Sequence, residues 1–162
     1  MSLKKTVTLI VLIAVFLCCG FFRDYVFLNF NEQLRVSYYH DHDSTLSSGL
    51  KFIESFSYSQ LYYIKWGLTF FFSFLFMVLT WAFVKMFFPE KKYLKWTILV
   101  YLSLIAISAL FWTGGYLFHH SEKGYIISRF LMGMAQGPIV LMALIPSFRL
   151  MKAYTERPAA KE

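Results

Sequence analysis

Cysteine is scarce in this chain, with two among 162 residues. Cys18 and Cys19 are neighbours, so a disulfide between them is strained and the Cys-x-x-Cys spacing of a redox pair is absent. No histidine lies near them in sequence to serve as a base for a thiol nucleophile. A Gly-rich phosphate loop is missing, and so is His-Glu-x-x-His. These absences predict a protein without catalysis and without a cofactor.

Apolar residues are what the chain has in excess: 58% are hydrophobic and 21% aromatic, with a mean hydropathy of +0.54. That is far too apolar for a soluble domain of this size. A helix crosses a hydrocarbon core of ~30 Å with about 20 mostly apolar residues, because its backbone polar groups are satisfied within the segment. Four windows qualify, 6–22, 66–88, 96–118 and 125–148. They predict an all-α integral membrane protein, a four-helix bundle forming a single membrane domain over 1–162. A cleaved signal peptide is the rival for the first window, since Lys4 and Lys5 precede it. Its end, Leu17-Cys18-Cys19-Gly20, offers no small-x-small cleavage site, so an uncleaved span is expected. No Asp or Glu lies in the core of any window. Proton-coupled transport ordinarily uses such a carboxylate, which leaves a small-solute channel or carrier as a third reading.

The formal net charge of +7 invites a nucleic-acid partner until the charges are sorted by side. With the N-terminus cytoplasmic, the inner side collects Lys4, Lys5, Lys85, Lys91, Lys92, Lys95, Arg149, Lys152, Arg157 and Lys161 against Glu90, Glu156 and Glu162. The outer side balances six basic residues with six acidic ones. The whole excess follows the positive-inside bias that orients helices on insertion. No basic patch remains for nucleic acid. The expectation is a cell inner membrane protein with both termini cytoplasmic and a basic tail over 149–162.

The segment 23–65 is expected outside, as a long loop. Tyr25-Val26-Phe27-Leu28-Asn29-Phe30 is aromatic and apolar, as befits chain lying at the headgroup level. Leu46, Leu50, Ile53, Phe56 and Leu61 then recur at spacings of three to five, with Ser44 or Thr45 placed to cap. This pattern predicts an interfacial amphipathic segment between helices 1 and 2, the alternative being an irregular aromatic loop. Between these stretches lies Tyr38-Tyr39-His40-Asp41-His42-Asp43. His-x-His is a weak metal signal, because zinc takes three or four protein ligands. Strand alternation would also send His40 and His42 to one face and Asp41 and Asp43 to the other. His119 and His120 fall on the same side of the membrane and are placed to complete an outer metal or haem site. A solvated loop without metal is the expectation, and the metal- or haem-binding protein is its alternative.

The fourth window carries the most pattern: Arg129-Phe130-Leu131-Met132-Gly133-Met134-Ala135-Gln136-Gly137-Pro138. Gly133 and Gly137 form a Gly-x-x-x-Gly pair of the kind that lets another helix backbone approach. Arg129 and Gln136 share their stripe on a regular helix. Pro138 lacks an amide hydrogen and clashes with the carbonyl of Met134, which predicts a kink between them. Arg129 either snorkels to the headgroups or faces the bundle and is paired; Asp24 is the first choice of partner, with Glu54 and Glu122 also within reach of its side.

Some of these stretches resemble the small exosortase F-associated membrane proteins of Bacteroidota. The likeness lies in Phe21-Phe22-Arg23-Asp24 to Phe30 after the first span, Arg129-Phe130 near the start of the last, Pro138 in its middle and Ile145-Pro146-Ser147-Phe148 at its end. The chain departs from that pattern at Leu28-Asn29-Phe30-Asn31, where an acid followed by an Asp-Pro pair is expected. The resemblance implies an accessory protein beside a membrane-embedded sorting protease, an exosortase, with no activity of its own. The expected partners are thus membrane lipids and a membrane protein. Contact is expected through the outer loop and through Arg129, Gly133, Gln136, Gly137 and Pro138.

Overall fold

A computed structural model describes residues 3–39 and 46–156, which form helices and short connections with no strand among the described residues. The elements are α1 (Leu3–Tyr39), a 3-10 helix (Ser48–Ser55), α2 (Tyr58–Phe87), α3 (Lys91–Leu117), α4 (Ser121–Ala135) and α5 (Ile139–Glu156). Helices α1, α2 and α3 are each long and apolar enough to cross a membrane, and α4 with α5 passes the same test as a pair bent by 62°. The candidate spans number three, or four if the bent pair is one span. α2 is apolar all round: Phe72 and Phe76 are buried while Phe70, Phe71 and Phe74 are exposed. Such a helix belongs to the core of a large protein or to a membrane span.

The chain divides into two compact units, residues 13–72 and residues 1–12 with 73–162. α1 and α2 each contribute to both.

In the 13–72 unit, α1 does not stop at residue 22. It runs 37 residues to Tyr39, so 23–39 is helix where a loop is expected. The physical reason is legible in its burial: Val26, Asn29, Phe30 and Gln33 are the buried positions, spaced i, i+3, i+4 and i+7 on one face. No Gly or Pro interrupts the chain between Gly20 and Gly49. The returning chain is fixed on that face by Asn29, whose Nδ2 donates to Tyr25 O at 2.8 Å while its Oδ1 accepts from Ser47 N at 3.0 Å. The amphipathic segment expected here is a 3-10 helix that buries Ile53, followed by a separate start to α2. Ser57 and Gln60 make that start through a reciprocal capping box, with Ser57 N donating to Gln60 Oε1 at 2.9 Å and Gln60 N to Ser57 Oγ at 3.4 Å. Phe72 closes the unit against Phe22 and Phe27, at ring separations of 6.2 and 5.8 Å.

In the larger unit, α2 and α3 are joined by the turn around Pro89. The rings of Phe88, Tyr93 and Phe148 meet there at 5.0 to 5.8 Å, tying α5 to the turn. Higher up, Tyr101 of α3 hydrogen-bonds Thr80 Oγ1 at 2.8 Å and donates to Phe76 O at 3.2 Å, both on α2. α3 and α4 form a tight hairpin. Its turn is a Schellman motif: His120 N donates to Gly115 O at 2.9 Å and His119 N to Tyr116 O at 3.4 Å. His119 takes the left-handed position usually given to glycine, with φ 59°, a conformation histidine tolerates better than most residues.

Candidate functional site

The break between α4 and α5 is where the fold departs most from regular helix. Pro138 cannot continue the i→i−4 ladder, so α4 ends at Ala135 and α5 begins at Ile139. The kink expected between Met134 and Pro138 is present as a 62° bend. Gln136 fills the gap twice over. Its backbone N donates to Met132 O at 3.0 Å and Gly133 O at 3.3 Å, closing the last turn of α4. Its side chain, 3% exposed, donates from Nε2 to Ser73 Oγ of α2 at 3.1 Å. A buried amide without such a partner would cost about 1–3 kcal/mol.

The neighbouring residues are placed differently from each other. Gly133 has open space where a Cβ would stand, and a Cβ on Gly137 would meet nothing nearer than Gly133 O at 3.5 Å. Arg129 is exposed on α4, and no ion pair or hydrogen bond involves it among the described residues. Within the 13–72 unit, Asp24, the expected partner, accepts from Arg23 Nη1 at 2.7 Å. The exposed side of α4 thus holds Arg129, while its buried side is Gly124, Ser128, Met132 and Ala135.

That buried side was not read from the sequence. Gly124 and Gly115 bring α3 and α4 into backbone contact: a Cβ on Gly124 would lie 2.6 Å from Phe111 O and 2.7 Å from Gly115 Cα. One turn on, Ser108 Oγ donates to Ser128 O at 3.0 Å and meets Ser128 Oγ at 2.8 Å. The signal was present as a glycine on each side of Phe118-His119-His120, at positions that face one another only once the hairpin is known.

His119 and His120 are exposed in the α3–α4 turn, whereas His40, His42, Asp41 and Asp43 lie outside the described residues. Among the described residues no group of three His, Cys, Asp or Glu side chains is arranged to hold a metal ion. On the α2–α3 turn, Lys92 Nζ pairs with Glu90 Oε2 at 3.0 Å.

No family model, curated protein or solved structure matches the chain. What defines it is therefore its own architecture: a helical chain with three or four candidate spans and polar side chains bonded to one another between the helices.

Proposed function

We propose that the chain is an inner-membrane four-helix bundle, with α4 and α5 together as its broken fourth span and both termini cytoplasmic. In this reading it is a non-catalytic accessory or assembly protein for a membrane-protein partner, of the exosortase type that the sequence resemblance implies. The observation that carries the reading is the fate of the polar groups. The side chains of Thr80, Tyr101, Ser108, Ser128, Ser73 and Gln136 bond to one another. That pattern is expected of packing contacts between spans. The outward-facing surface is correspondingly apolar, with Phe74, Leu102, Leu110, Phe130 and Met142 all more than half exposed.

The test is affinity capture of the full chain through its C-terminus from native membranes solubilised in mild detergent, with metal analysis of the eluate. A stoichiometric membrane protein co-eluting without a bound transition metal is the expected result. Elution of the chain alone would remove the accessory role. A stoichiometric metal would favour the outer histidine site.

A further inference from the structure

We propose that the basic turn between α2 and α3, together with Lys152 of α5, is a headgroup site for an anionic phospholipid. The proposal rests on the reading that the chain spans a membrane. Its structural basis is the aromatic cluster at this end of the larger unit. Tyr93 is fully buried and Phe88 and Phe148 nearly so, with Phe148 lying 5.0 Å from Tyr93 and 5.8 Å from Phe88. This cluster fixes α5 against the turn. Lys152 follows Phe148 by one helical turn on the same side of α5, and Lys91 and Lys92 directly precede Tyr93. Three lysines are thereby carried by backbone that the aromatic cluster fixes.

The charge balance and the depth both point to lipid. Lys85, Lys91, Lys92, Lys95, Arg149 and Lys152 are all exposed here; by sequence these six cations outnumber the two acids of this end, Glu90, bonded to Lys92, and Glu156, one turn after Lys152 on α5. The cations are interleaved with rings: Lys92 Nζ lies 4.8 Å from the Tyr93 centroid and Lys85 Nζ 4.9 Å from that of Trp81. Trp96, half exposed, stands beside Lys95. Tryptophan and tyrosine at the ends of apolar helices mark the headgroup level, where the nearest anions are lipid phosphates. Lysines at that level each strengthen attraction to anionic lipid by about fivefold.

The experiment places the full chain in nanodiscs of phosphatidylcholine, alone or with about a fifth of the lipid as cardiolipin, and reads lipids retained by native mass spectrometry and the thermal midpoint. Cardiolipin should be retained in preference to phosphatidylcholine and should raise the midpoint, and high salt should weaken both effects. The variant Lys91→Gln/Lys92→Gln/Lys152→Gln should lose retention by about fivefold per lysine, whereas Lys51→Gln/Lys123→Gln should keep it. Lys152→Gln alone, on an exposed part of α5, gives the same reading if the triple variant does not fold. Unchanged retention in these variants overturns the proposal, as does an equal stabilisation by inorganic phosphate in plain phosphatidylcholine discs, which would mean a free-anion site. Failure of the chain to enter nanodiscs would sink the membrane reading and this proposal with it. Entry without lipid preference would sink only the proposal.

Discussion

The two sides of α4 carry the same kinds of residue and do opposite things. One side has Gly124 and Ser128, and both are buried against α3, glycine on glycine and serine on serine. The other has Arg129 and Gly133, where the arginine is exposed and the glycine faces open space. Spacing within one helix therefore identifies a stripe, but not what covers it. A small residue becomes a contact only when the opposing helix supplies a small residue at the same height. Gly115 does this for Gly124, whereas nothing within 4 Å does it for Gly133.

The largest expected effect follows directly. Gly124→Ala places a methyl 2.6 Å from Phe111 O and 2.7 Å from Gly115 Cα, both backbone atoms that cannot step aside. Overpacking of this kind costs about 1–3 kcal/mol, and Gly124→Leu should prevent the hairpin from closing. Thermal unfolding in detergent, followed by circular dichroism, reads the loss. A Gly124→Ala protein as stable as the parent would mean that α3 and α4 do not meet here.

Gly133→Ala should act in the reverse sense. With no atom within 4 Å of the new methyl, the substitution trades a flexible helical residue for the best helix former, a gain of about 0.5–1 kcal/mol. If the same assay shows a loss instead, something covers the Gly133 side, and a second chain or a partner helix is the first candidate.

The serine pair comes next. Removing the Ser108 hydroxyl deletes its bonds to both Ser128 O and Ser128 Oγ. Hydrogen bonds between membrane helices average about 0.6 kcal/mol, so Ser108→Ala should cost roughly that amount. Ser128→Ala, which keeps the bond to the carbonyl, should cost less. Equal costs for the two would show that the carbonyl bond contributes nothing.

How much of this was legible in the sequence depended on whether one segment sufficed. The apolar windows gave the long helices, and Pro138 gave the break, because both effects act within a single stretch of chain. The extension of α1 to Tyr39 was missed because the aromatic and charged residues after Phe22 suggested a headgroup-level loop. The period of Val26, Asn29, Phe30 and Gln33, without an intervening Gly or Pro, was the stronger signal. The partnerships of Tyr101 with Thr80, Gln136 with Ser73 and Gly124 with Gly115 required the register between helices. No local pattern supplies that. The pairing of Arg129 with Asp24 was likewise read from side and depth alone; Asp24 accepts from its neighbour Arg23, and a double-variant cycle tests the pair.

Arg129 is the smallest expected effect and the sharpest test of the comparison. Were it a buried partner of a carboxylate, breaking the pair from one side would cost about 3–5 kcal/mol, because an unpaired charge would remain. Its exposed position on α4, eight residues after Ser121 at the helix start, predicts something else. At a rise of ~1.5 Å per residue it lies roughly 12 Å along the helix from that end, within reach of the headgroups for a long side chain that bends back toward the helix N-terminus. Arg129→Lys should then be silent, and Arg129→Gln should change detergent stability by less than ~0.5 kcal/mol. The double variant with Asp24→Asn should equal the sum of the singles, as it does for residues that share no partner. A coupling above ~0.5 kcal/mol in that cycle would restore the pair and move Arg129 from the open side of α4 to its working one.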